Sequence, residues 1–235
     1  QSYMWGGQDG VVLGAGSDYT AISLSTMIGS TLYGFYAIGA DSHVVTQSYM
    51  QGSDRGVLLD TGADYSSISL STMIGVVEYV FLVRGGATNT VTQSYMQGGL
   101  IGAYLSGSSW TVISQSTMAS NSVSNAAVYI LGSSSNTILN SLIQGSTAML
   151  VSGSTGTVIR GSVLIATNTA GSALAFAGGS VNLTIATSTL LAPSLGRGLY
   201  LNRDNKGVVS LGSVTVSGAA RGLEISTQVT GNFSL

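Results

Sequence analysis

A tetrapeptide, QSYM, recurs at residues 1–4, 47–50 and 93–96, and a related LSTM stands midway between its copies at 24–27 and 70–73. The shared serine therefore falls at Ser2, Ser25, Ser48, Ser71 and Ser94, always 23 residues apart, and the beat continues more loosely through Ser116, Ser141, Ser162, Ser188 and Ser213. A fixed period of this length marks a stacked repeat, in which each unit buries its apolar surface only against its neighbours. Few folds accommodate ten such units in 235 residues.

Two further columns keep the same time. Three positions before the serine stands a β-branched residue: Ile22, Val45, Ile68, Val91, Ile113, Ile138, Ile159 and Ile185. Two positions after it stands an apolar one, running Met4, Met27, Met50, Met73, Met96 and Met118, then Ile143, Leu164 and Leu190. A third apolar run follows about ten residues later, as in GVVL (10–13), YVFLV (79–83) and VYIL (128–131). Segments of three to five residues broken by Gly, Ser, Asn or Asp are too short for helices and suit strands joined by corners. Three strands per unit predict an all-β right-handed parallel β-helix, a β-solenoid of about ten rungs of about 23 residues each. With rungs about 4.8 Å apart the rod would be roughly 45–50 Å long. It is read as one solenoid domain over residues 1–235, or as a segment of a longer solenoid.

Composition narrows the function classes. Only seven Lys and Arg stand against nine Asp and Glu, so no basic patch exists to neutralise the phosphates of a nucleic acid. With 44% apolar residues and 7% charged, the chain has the reverse of a disordered composition. No stretch reaches the roughly 18 apolar residues of a membrane span. Cysteine is absent, which removes disulfides and thiol chemistry. The opening at Gln1 carries no leader of the secretory kind, so any export signal is expected outside this sequence.

If Ile22 faces the lumen, a corner must re-phase the alternation so that Ser25 and Met27 also face inward. The methionine column then fills the interior, and each buried serine must find a partner on every rung. The residue after the β-branched one, at Ser23, Thr46, Ser69, Thr92 and Ser114, should point outward. Such a hydroxyl stripe raises ice binding as a second alternative, weakened by the stripe's breaks at Leu139, Arg160 and Ala186. Tyr3, Tyr49 and Tyr95 recur on every second rung, roughly 10 Å apart, and are the candidate binding residues: a row of rings suited to sugars or to a partner's apolar surface. Asp18, Asp41 and Asp64 share one corner column, where Asx-type capping is favoured over a bridging Ca2+. Trp5 and Trp110 are read as core or corner packing, and Asp54–Arg55 and the run 203–206 as local charge pairs in loops.

The motifs Asn89-Thr90-Val91, Asn136-Thr137-Ile138 and the run TVISQSTM at 111–118 resemble the right-handed parallel β-helix (pectate-lyase-like) superfamily. Within it they are similar to the NTI…S repeats of large bacterial surface proteins. The resemblance implies the coiled fold across nearly the whole chain and leaves function open among lyases, hydrolases, adhesins and stalks. Pectin-cleaving members use paired Asp acids, or Ca2+-binding acids with a catalytic Arg or Lys. This sequence has no doubled Asp and no Asn-Thr-Asp, and its single His43 stands beside Asp41 and Ser42 without the convergence that a triad needs. The leading expectation is therefore a non-catalytic extracellular or cell-surface solenoid, structural or adhesive, not an enzyme. No catalytic residue, metal or cofactor is assigned. Its expected partners are itself, through exposed ends that could build a filament, and glycans or cell-surface partners. The alternative is a carbohydrate-binding or polysaccharide-cleaving β-helix.

Overall fold

The computed structural model describes residues 1–202, 204–226 and, for the backbone alone, 232–234. Thirty short strands form three ten-stranded sheets, and each sheet takes every third strand in chain order. The first sheet is built from Tyr3–Gly6, Thr26–Gly29, Tyr49–Gly52 and their successors. The second contains Val11–Leu13, Tyr33–Ala37, Arg55–Leu59, Tyr79–Arg84, Ile101–Ser106 and Ala126–Leu131. The third begins with Ala21–Ser23, Val44–Thr46 and Ser67–Ser69. All pairings are parallel and one rung apart, so Met27 aligns with Met50 and Val45 with Ile68.

The corner between the third and first sheets carries out the expected re-phasing. Leu24, Gln47, Leu70, Gln93 and Gln115 all adopt left-handed backbone with φ near +50°, a conformation that costs a non-glycine residue about 1–2 kcal/mol. Each keeps its place because its N–H still reaches the next rung, as Leu24 N donates to Thr46 O at 3.1 Å. The kink turns the following serine inward. Ser48 Oγ donates to Thr46 O at 2.8 Å and accepts from Ser25 N at 3.2 Å. The same pair of bonds recurs at Ser71, Ser94, Ser116, Ser141, Ser162 and Ser188. A buried hydroxyl column is thus satisfied throughout. One position differs from expectation: Thr215 aligns with Thr189, so Val214 continues the serine column, and Ser213 takes the left-handed corner at φ 55.

The lumen is dry and continuous. Met27, Met50, Met73, Met96 and Met118 pack with Val45, Ile68, Phe35, Val57 and Phe81, all buried to 1% exposure or less. A tight corner joins the first sheet to the second, and its glycines are sterically required. A Cβ on Gly52 would lie 1.8 Å from the Arg55 carbonyl oxygen, so the chain crosses here only because no side chain is present. This corner delivers Arg55 to the start of its strand. Asn232–Ser234 form the tenth strand of the third sheet. Among the described residues no helix is long and apolar enough to cross a membrane.

Candidate functional site on the second sheet

The tyrosine row is in register as expected. Tyr3, Tyr49 and Tyr95 share a column of the first sheet, alternating with Thr26, Thr72 and Thr117. Tyr3 is exposed, while the Tyr49 and Tyr95 hydroxyls donate to Gln51 and Gln97 Oε1 at 2.5 and 2.7 Å. Trp5 and Trp110 are not core residues: they are 64% and 62% exposed. The hydroxyl stripe on the third sheet is partly spent on itself. Ser69 Oγ donates to Thr46 Oγ1, and Ser114 Oγ to Thr92 Oγ1, each at 3.1 Å. That self-pairing leaves fewer hydroxyls of the stripe free for the regular lattice that ice binding would need.

The aspartate column caps backbone between rungs, not within one turn. Asp18 Oδ1 accepts Asp41 N at 2.8 Å, Asp41 Oδ1 accepts Asp64 N at 2.9 Å, and Asp64 Oδ1 accepts Ala87 N at 2.5 Å. Each carboxylate thus supports the coil above it. Among the described residues no group of three or more His, Cys, Asp or Glu could hold a metal ion.

The residues that converge lie elsewhere, on the outer face of the second sheet. Its central outward column runs Tyr36, Leu58, Leu82, Tyr104, Tyr129. Leu58 and Leu82 are outside the lumen cluster yet buried, because larger side chains roof them. Arg55 lies between two rings, its guanidinium carbon 5.3 Å from the Tyr33 centroid and 5.5 Å from that of Tyr79. It ion-pairs with Asp54 and Glu78, both at 2.9 Å, and donates to the Tyr33 hydroxyl at 3.0 Å. One column further, Arg84 grips Asp60 through both Nε and Nη2, and the Tyr36 hydroxyl donates to Asp60 Oδ2 at 3.4 Å. Tyr104 stacks on Tyr129 with centroids 5.1 Å apart and meets Tyr79 edge-on at the same distance. Five phenols, two guanidiniums and three carboxylates therefore share one strip.

The electrostatics differ between the two acid groups. Arg84 holds Asp60 below the usual carboxylate range, a charge-assisted pair. Burial pushes Asp54 up, Arg55 pulls it back, and a hydrogen bond with Glu78 raises it again. Asp54 and Glu78 thus flank the same guanidinium, each 2.9 Å from Arg55. Burial also raises Tyr36 and Tyr79, each reinforced by its acidic neighbour, Asp60 or Glu78. Asp54–Arg55 is the local charge pair expected, at 2.9 Å, but Arg55 opens a strand instead of lying in a loop, and it also binds Glu78 on the next rung. In the run 203–206, Arg203 lies outside the described residues.

This strip escaped the sequence reading because its spacing varies. Arg55 meets Tyr33 over 22 residues, Glu78 over 23, and Arg84 meets Asp60 over 24. Aligning the third apolar run of each rung by its buried residues, instead of by the serine, would have stacked Tyr36, Tyr104 and Tyr129.

The coil is similar to solved structures of polysaccharide-acting proteins. Alginate lyase from Paenibacillus sp. aligns over 93% of this chain and 91% of its own at 13% identity and a TM-score of 0.56. The tailspike protein gp49 of Pseudomonas phage LKA1 gives a TM-score of 0.60 at 12% identity, over 92% of this chain and 49% of the tailspike. The A-module of a mannuronan C-5 epimerase from Azotobacter vinelandii gives 0.51 at 14% identity, over 98% and 83%. This chain thus spans most of the lyase and about half of the tailspike. At such identities the likeness is one of fold. It nonetheless overturns the expectation of a non-catalytic structural rod that is not an enzyme, since the proteins sharing this coil include named enzymes, and the second sheet bears a charged aromatic strip that an inert stalk does not need. No curated protein sequence matches the chain. The family model described as a right handed beta helix region matches residues 55–233, and the chain belongs to that family.

Proposed function

We propose that this chain is a carbohydrate-binding β-helix that acts on a polysaccharide, with the glycan seated along the outer face of the second sheet. The observation that carries this reading is the strip itself: Tyr33, Tyr36, Tyr79, Tyr104 and Tyr129 alternate with Arg55, Arg84, Asp54, Asp60 and Glu78 over a leucine floor. Phenols and carboxylates present acceptors to sugar hydroxyls, guanidiniums present donors, and the ring edges supply amphipathic contact area. The fold neighbours named as lyase, tailspike and epimerase support the choice of ligand class.

The chemistry suited to this strip is general acid–base catalysis. Asp54, whose carboxyl is pushed up by burial and by Glu78, is the proposed general acid: in its protonated form it gives its proton to the departing glycosidic oxygen while a solvent water adds at the anomeric carbon and releases a proton to solvent. Both acids are held on the one Arg55 guanidinium, at 2.9 Å each, which fixes them side by side on this face. Turnover therefore falls as pH rises through the elevated Asp54 value. The test is a reducing-end assay with affinity electrophoresis over a glycan panel. Asp54→Asn is expected to abolish turnover and leave binding within about threefold; binding without turnover in the parent protein would reduce the reading to a binding module.

The row Tyr3, Tyr49 and Tyr95 is proposed as an accessory contact on the neighbouring sheet, where, among the described residues, its rings stack on no other aromatic side chain. Activity outside the cytoplasm, on surface or secreted glycans, belongs to the same reading, and self-association through the coil ends is a separate proposal, tested by sedimentation over a dilution series.

A further inference from the structure

We infer that the glycan taken by the second-sheet face is a neutral, hydroxyl-rich polymer and not a polyuronate. This rests on the proposed glycan-binding face and concerns only what that face selects. To bind a uronate carboxylate, a site needs a cation whose charge is not already spent. Around Tyr33–Tyr129 there are two cations, Arg55 and Arg84, against three acids, Asp54, Asp60 and Glu78, a formal balance of 2 − 3 = −1.

Both guanidiniums are committed. Arg55 is 17% exposed, with Nη1 on Asp54 and the Tyr33 hydroxyl, Nη2 on Glu78, its Nε buried out of reach of solvent without a hydrogen-bond partner, and its guanidinium carbon 5.3 and 5.5 Å from the Tyr33 and Tyr79 ring centroids. An incoming carboxylate would have to displace Asp54 or Glu78, leaving a partly buried acid unpaired beside a third negative charge. Arg84 is more open at 59% exposure, yet both Nε and Nη2 are held by Asp60, itself 4% exposed. What Arg84 offers outward is donor capacity without net charge, which suits a hydroxyl.

Among the described residues, the excess of positive charge on this sheet lies far away. Arg197 and Arg221 share Glu224 at 2.7 and 2.8 Å, six rungs and roughly 29 Å from Arg55 at the parallel-strand spacing. Selection by the Tyr33–Tyr129 strip is therefore set by its own negative balance. Glu78, the most exposed of the three acids at 38%, carries that balance outward: it repels a polyuronate backbone and accepts from the hydroxyls of a neutral hexose.

The experiment is affinity electrophoresis of the whole chain at low ionic strength, with dextran, laminarin and mannan as neutral probes and alginate and polygalacturonate as charged ones. The expected result is retardation by at least one neutral probe, with either polyuronate bound at least about tenfold more weakly. In the double variant Asp54→Asn with Glu78→Gln, Arg55 is released, and polyuronate affinity should rise about tenfold relative to the parent while the melting temperature confirms a folded coil. A parent protein that prefers alginate or polygalacturonate would overturn the inference and leave the glycan-binding reading standing. Failure to bind any of the five probes would remove that reading, and this inference with it.

Discussion

The second and third sheets are wound from the same coils, with the same parallel register and the same dry lumen behind them, yet their outer faces differ. On the third sheet the outward residues of the first five rungs, such as Ser23, Thr46, Ser69, Thr92 and Ser114, are small and uncharged, and some pair with each other from rung to rung. On the second, long side chains from three rungs fold over one another until Leu58 and Leu82 disappear from solvent. The difference teaches that rung stacking fixes only the inward residues. Outward positions are free to be either a self-satisfied surface or a constellation, because the packing of the lumen does not depend on them.

The contrast can be broken or sharpened by substitution. The largest effect should come from behind the faces: Phe81→Ala, which opens a cavity in the lumen, is expected to cost about 3–5 kcal/mol, read as a lowered denaturant midpoint, and to damage both faces equally. Next, Arg55→Ala leaves Asp54 and Glu78 facing each other without their cation. Because these groups are only partly buried, about 1–3 kcal/mol is expected, with loss of glycan retardation. The same measurement on Ser69→Ala, on the third sheet, should stay within about 0.5 kcal/mol and leave binding unchanged.

A smaller effect concerns the corner between these two sheets. His43 is buried beside Phe35, with ring centroids 6.2 Å apart, and neither ring nitrogen has a well-formed hydrogen bond. Burial lowers its value from the ordinary 6.5, against weaker opposing pulls from Ala40, Asp18 and Asp41. The unfolded chain thus takes up the proton first as pH falls. Stability is flat above about pH 7 and declines from about 6.5 down to the depressed folded value, before ordinary carboxylates titrate. Thermal melts of the parent should show this slope, and His43→Leu should flatten it.

How much of this was legible in the sequence follows from the same division. Columns that must stack to bury themselves, Ile68 with Val91 or Met73 with Met96, keep the 23-residue interval and declare the fold directly. The left-handed corner was legible only as a required re-phasing before Ser25, since Leu24 and Gln47 carry no signature of positive φ. Val214 was missed because the register gains one residue where Val181–Leu183 pairs with Lys206–Val209, which moves the column away from Ser213. The strip was missed for a related reason: Arg55, Glu78 and Arg84 belong to positions whose contacts cross rungs over 22 to 24 residues, so a fixed-period search scatters them. Tyr3, Tyr49 and Tyr95 stood out because they share the serine's strict interval, which marks repetition and not convergence.

The most direct test of the second-sheet site compares two pairs of substitutions in one binding assay against the best neutral glycan. Tyr36→Ala with Tyr79→Ala should weaken binding at least about tenfold, a loss of about 1.4 kcal/mol, whereas Tyr49→Ala with Tyr95→Ala should weaken it by less than about threefold. The opposite order, with the first-sheet pair dominant and the second-sheet pair silent in folded variants, would contradict the account.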